Sequence, residues 1–215
     1  APQAQHVKLT FPARDNMPKV AMPEVEIHWY DGGLMPDRPA GFPQGKELMG
    51  YGGGLCIFHG TKDTLICGCY GQNPWLLSGR VPNVPKTERR VANATRGGHE
   101  QDWIRACKES AGSRVKSKSD FSFAGPFNEM VVMGVLAVRL SGLQGLHREL
   151  KWDGENMKFT NISPTDKIKI VTVDDFKVID GDPRFDRRFA EFSAQDMANE
   201  WIKHTYNNGF SLPDM

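Results

Sequence analysis

Val25-Glu26-Ile27-His28-Trp29-Tyr30-Asp31-Gly32-Gly33-Leu34-Met35-Pro36-Asp37-Arg38-Pro39 is the stretch around which the chain organises. It opens as an alternating strand, with Val25, Ile27 and Trp29 on one face and Glu26, His28 and Tyr30 on the other. The alternation stops at Asp31-Gly32-Gly33, where glycines admit positive φ and the chain must turn. Pro36 and Pro39 stiffen the segment beyond the turn. A strand that delivers Tyr30, Asp31 and Arg38 onto a rigid corner is one way to build a wall of a binding site. The same periodicity describes a plain hairpin corner with a solvated aspartate equally well.

The 215 residues favour one large domain spanning 1–215. With 39% hydrophobic and 25% charged residues, the composition is that of an ordinary soluble globular protein. A formal net charge of +1 supplies no electrostatic case for a nucleic-acid or membrane partner. No uninterrupted apolar run approaches the roughly 18 residues of a membrane span. The opening Ala1-Pro2-Gln3-Ala4-Gln5 lacks the pattern of a secretory signal, so any export signal is expected upstream of it.

Outward from the corner, Gln5–Phe11 alternates and predicts a first strand. Residues 34–54 are rich in glycine and proline and predict an irregular loop. Leu55–His59 and Thr64–Tyr70 flank a tight turn and predict a hairpin. That hairpin would bring Cys56 near Cys67. A cross-strand disulfide and a pair of buried reduced thiols are both compatible with it, and the thiols are the simpler expectation. Gly71–Ala94, with Pro74, Pro82 and Pro85, predicts an extended connection.

Helices are expected at His99–Glu109, with Trp103, Ala106 and Cys107 inward, and at Pro126–Leu140. The second is apolar all round. It should therefore be the most buried element, and at that length it is too short to span a membrane. Leu146–Trp152 and Asn156–Thr160, joined by Asp153-Gly154, predict another hairpin. Lys167–Val173 and Phe176–Ile179 predict a further one. A last helix should start near Ser193, with Met197, Trp201, Ile202 and Thr205 inward and Gly209 closing it. The class is α+β: an open, mostly antiparallel sheet with helices packed on one face.

Most motifs with a recognised chemistry are absent. Gly50, Gly52, Gly53 and Gly54 miss the dinucleotide spacing and precede a strand instead of coming after one. Trp103 occupies the second histidine position of a zinc-helix pattern begun by His99-Glu100, and no nucleophile elbow occurs. Asp180-Gly181-Asp182 is broken as a calcium loop by Pro183. No metal site is expected. The remaining candidates are polar groups near element ends: Tyr30, Asp31 and Arg38 at the corner, Tyr70 and Asn73 after a hairpin, and Arg89, Arg90 and His99 before a helix. Together they suit a hydroxyl-rich ligand, although each has an ordinary structural role available.

Five stretches resemble one family: Phe11-Pro12-Ala13-Arg14, Trp29-Tyr30-Asp31-Gly32-Gly33-Leu34-Met35-Pro36, Cys67-Gly68-Cys69-Tyr70-Gly71, His99-Glu100-Gln101-Asp102-Trp103-Ile104-Arg105-Ala106-Cys107-Lys108 and Leu150-Lys151-Trp152-Asp153-Gly154. They resemble the C-terminal portion of Gfo/Idh/MocA-type oxidoreductases, in the bacterial subgroup typical of carbohydrate-degrading organisms. The resemblance runs in order from about Val7 to Phe210. Residues 164–192 depart from it and look like an inserted hairpin.

The resemblance implies an upstream Rossmann domain for NAD or NADP, which this chain does not contain. It also implies an open sheet that covers the active site on one face and meets another subunit on the other. The catalytic Lys and His would lie upstream, so no catalytic residue and no cofactor contact is expected within this chain. The expected substrate-side residues are Tyr30, Asp31, Arg38, Tyr70 and His99. The substrate would be a sugar, a polyol or a glycoside, and the partner a second copy of the chain. A stand-alone carbohydrate-binding or assembly module is the competing expectation, and part of an NAD-dependent glycosidase another. Export to the periplasm and retention in the cytoplasm are both open.

Overall fold

The computed structural model describes residues 2–15, 23–48, 54–84, 98–142, 145–203 and 206–211. Arg89, Arg90 and Thr205 lie outside them. The elements are β1 (Gln5–Phe11), β2 (Val25–Asp31), β3 (Leu55–His59), β4 (Thr64–Gly68), β5 (Trp75–Leu76), α1 (Gly98–Lys108), α2 (Phe121–Leu140), β6 (Trp152–Asp153), β7 (Lys158–Phe159), β8 (Lys167–Ile179), β9 (Asp182–Ser193) and α3 (Ala194–Ile202). The α+β class is as expected. Among the described residues the strands form four small sheets, β1-β2, β3-β4-β5, β6-β7 and β8-β9.

The chain folds as two compact units, residues 1–6 with 30–119 and residues 7–29 with 120–215. The first is built on the β3–β4 hairpin, which pairs antiparallel with Cys56 opposite Cys67 and Ile57 opposite Ile66. The expected extended connection contains β5, which adds to β4 with Ile66 opposite Trp75. Phe42, Leu48 and Ile66 form the buried core here, with Leu55, Ile57, Trp75 and Leu77 packed against them. In α1 the inward residues are Asp102 and Ala106, whereas Trp103 and Cys107 are exposed, contrary to the sequence expectation. Asp102 is buried because it is fully engaged: it accepts from the Arg105 guanidinium at 2.9 Å and from the Lys118 amide at 2.8 Å.

The second unit is centred on Leu136, Leu140, Ile162, Ile168, Ala194 and Ala198. Helix α2 starts five residues earlier than expected. Asp120 caps it by accepting from the Ser122 amide at 2.9 Å, and Pro126 is carried inside the helix. Nor is α2 the most buried element. Only Leu136 and Leu140 are buried, while Phe121, Phe123, Phe127, Val131, Val132 and Val135 are exposed. At 20 residues it is long and apolar enough to cross a membrane by length and composition, a correction to the shorter helix expected.

Two hairpins also differ from expectation. The turn in the third sheet is the four-residue loop 154–157, because the Asp153 carboxylate accepts from the Asn156 amide and side chain and extends the bend. Strands β6 and β7 keep two residues each. Strand β8 runs without a turn from Lys167 to Ile179 and pairs with β9 along its length, with a register shift between Val171 and Val173. The turn falls at Asp180 (φ 54°) and Gly181 (φ 85°), the double positive φ of a tight hairpin. Ser193 caps α3, and the helix ends at Ile202 instead of reaching Gly209.

Candidate functional site

The Tyr30-Asp31-Gly32 corner is built against the N-terminal segment. The Tyr30 ring stacks on His6, centroids 4.2 Å apart and planes 6° from parallel. Asp31 accepts from the Gln5 side-chain amide at 2.8 Å. Gly32 has φ +66°, and a Cβ there would come within 2.2 Å of the Gln3 carbonyl oxygen, so only glycine lets the two segments approach this closely. Tyr30 and Asp31 are half-buried. They are successive strand residues and point to opposite faces.

Arg38 is turned to an internal task. Its guanidinium donates to the Lys46 carbonyl at 2.9 Å and to the Pro43 carbonyl at 3.4 Å, and lies 4.9 Å from the Phe42 ring centre. It closes the 38–46 loop. Tyr70 is 84% exposed at the end of the β3–β4 hairpin, and His99 is exposed in the first turn of α1.

A cleft of about 200 Å³ opens in the same unit. Phe42, Leu55, Ile66 and Trp75 form its apolar floor, and Lys46, Glu47, Gln72 and Asn73 its polar edge, with Cys67 and Gly68 in the wall. None of the five predicted residues lines it. Asn73, which the sequence did mark, does, at φ 49°. Trp75 is held in place by Phe42, ring centres 5.8 Å apart, and by the Lys46 ammonium 4.3 Å from its own ring centre. The lining sets an indole beside two side-chain amides, a carboxylate and an ammonium. The legible signal was Gln72-Asn73-Pro74-Trp75 itself, two amides and an indole within four residues, inside a stretch that reads as a connection.

The second unit holds a larger groove of about 410 Å³ along α2, mostly apolar, with Glu129, Trp152, Met157 and Trp201 among its lining. Glu129 accepts from the Trp152 indole at 2.6 Å, and a Cβ on Gly154 would press to 2.8 Å from the same carboxylate. The Lys151-Trp152-Asp153-Gly154 stretch is fixed from behind by Asn161, which accepts from the Lys151 amide at 2.8 Å and donates to the Glu149 carbonyl at 2.9 Å.

All four cysteines are free. The Cys56 thiol is pushed up from its ordinary pKa, first by burial and then by Cys67 beside it. No cluster of three or more His, Cys, Asp or Glu side chains that would hold a metal occurs among the described residues. Against protein-family models and against the curated proteins, the chain has no match.

Proposed function

We propose that the chain is the substrate-side and oligomerisation part of an NAD(P)-dependent oxidoreductase acting on a sugar, polyol or glycoside. The observation that carries the reading is the cleft floored by Trp75 and edged by Lys46, Glu47, Gln72 and Asn73. Its lining includes Cys67 and Gly68 of Cys67-Gly68-Cys69-Tyr70-Gly71, one of the stretches that resembles such enzymes, and Gln72 directly after it. In this role the indole takes the apolar face of a sugar ring, the amides and the carboxylate take its hydroxyls, and hydride transfer is left to a nicotinamide bound elsewhere. The exposed apolar side of α2 agrees with a part built to be covered, whether by an upstream domain or by a second copy.

That the cleft lies wholly within one unit also favours a narrower reading, a sugar-binding module that needs no nucleotide. Titrating the chain with neutral monosaccharides, polyols and NADH, followed by tryptophan fluorescence and calorimetry, tests both. Sugar binding without NADH binding, lost in Trp75→Ala, is expected. Tight NADH binding by the chain alone would sink the first reading, and no response to any neutral sugar or polyol would sink both. Placing the coding sequence upstream of Ala1 in the same reading frame then separates them, since only the first reading predicts NAD(P)-dependent oxidation of the bound sugar.

A further inference from the structure

Three thiols gather on one face of the β3–β4 hairpin. Cys56 stands directly across from Cys67 in the strand register, so their side chains leave the same face of the sheet. The Cys67 thiol lies near enough to help raise the Cys56 pKa, after burial. Cys69 continues the row opposite Gly54, where an added Cβ would meet the Cys69 Cβ at 2.9 Å. Cys67 is buried and Cys56 only partly so, which leaves Cys56 open to a small reagent. Cys67 also lines the 200 Å³ cleft.

We propose that Cys56 and Cys67 are an oxidisable pair that closes a reversible cross-strand disulfide when the chain meets a low-molecular-weight disulfide. Directly opposed antiparallel residues have Cα atoms about 4.5–5.5 Å apart, inside the span a disulfide bridges without moving the backbone. The thiolate of the partly exposed Cys56 attacks one sulfur of the small disulfide, forming a mixed disulfide and expelling one thiolate. The Cys67 thiolate, directly across the strand pair, attacks the Cys56 sulfur and expels the second. Two protein thiols are oxidised, one small disulfide is reduced to two thiols, and the two protons released from the cysteines end on those thiols. Neither Cys69 nor Cys107 is consumed. Of the pair only Cys67 borders the cleft, and both side chains leave the sheet face opposite to Ile66. The inference rests on the hairpin register and not on the sugar reading.

The test is incubation of the purified chain with glutathione disulfide, alkylation of remaining thiols, and intact-mass and peptide mapping without reductant. The expected result is an intrachain Cys56–Cys67 link with two thiols left per chain, reversed by dithiothreitol. It should persist in Cys69→Ser and Cys107→Ser and vanish in Cys56→Ser, which alters a partly exposed site and leaves the core intact. Four thiols still titratable after oxidant, a link that maps to Cys107, or cross-linked dimers in place of the intrachain link would each overturn the proposal. A failure of sugar binding leaves the thiol count unaffected, so the two readings fail separately.

Discussion

Arg38 ties the 38–46 loop together through its guanidinium. Replacing it by alanine removes a 2.9 Å hydrogen bond to the Lys46 carbonyl, a longer one to the Pro43 carbonyl, and a guanidinium 4.9 Å from the Phe42 ring centre. The first is worth about 1 kcal/mol net at an exposed site, the 3.4 Å bond little, and the ring contact roughly 0.5 kcal/mol. The loss is therefore about 1–2 kcal/mol, which moves a urea midpoint down by roughly 0.3–1 M. Arg38→Lys keeps the charge but not the planar guanidinium, whose Nη1 reaches both carbonyls while its plane lies by the Phe42 ring, and should fall between. Sugar affinity should drop only modestly, through loosening of the loop that carries Phe42 and Lys46. The assay is urea unfolding by circular dichroism beside calorimetric sugar titration of the same samples. An alanine variant that unfolds with wild type yet loses sugar binding would refute this and restore Arg38 as a ligand contact.

Packing and charge contacts set four further outcomes. Leu140→Ala empties a fully buried site in the second unit's core and should cost about 2–5 kcal/mol in urea unfolding, with the sugar response proposed for the first unit retained. Gly32→Ala meets both a positive φ and the Gln3 backbone; a loss of more than about 1 kcal/mol is expected by the same measurement. The Asp166 carboxyl is held below its usual range by the Arg148 guanidinium beside it and by the Ser163 amide. A depressed carboxyl stabilises the fold above its unfolded pKa and loses that contribution as pH falls through the folded value. Asp166→Asn should therefore flatten the acid side of the stability–pH curve and leave its neutral side merely lowered. Finally, the paired rings Phe176 and Phe185, 5.0 Å apart and both exposed on the β8–β9 hairpin, should drive self-association; Phe176→Lys with Phe185→Glu should reduce it in sedimentation.

Local pattern settled those elements whose cause is local. Strand β1 has the bounds the alternation predicts, the β3–β4 turn falls at Gly60–Asp63, and Ser193 caps α3, because alternation, turn chemistry and capping act over a few residues. Tertiary context decided the rest. An apolar helix reads as buried, yet burial needs a partner surface, and most of α2 meets none among the described residues of its unit. Asp174 and Asp175 read as a turn, but thirteen residues of β8 facing twelve of β9 hold them extended, with Arg187 paired to Asp174 at 3.0 Å. At the site, sequence could mark Tyr30, Asp31, Arg38, Tyr70 and His99 as polar groups at element ends. It could not say that Arg38 would be spent on two loop carbonyls. Nor could it say that Trp75 would pair beside β4 and bring Phe42 and Lys46, some thirty residues earlier, against its indole. Residue type shows what a side chain is able to bond, whereas long-range pairing determines which groups lie within reach of it.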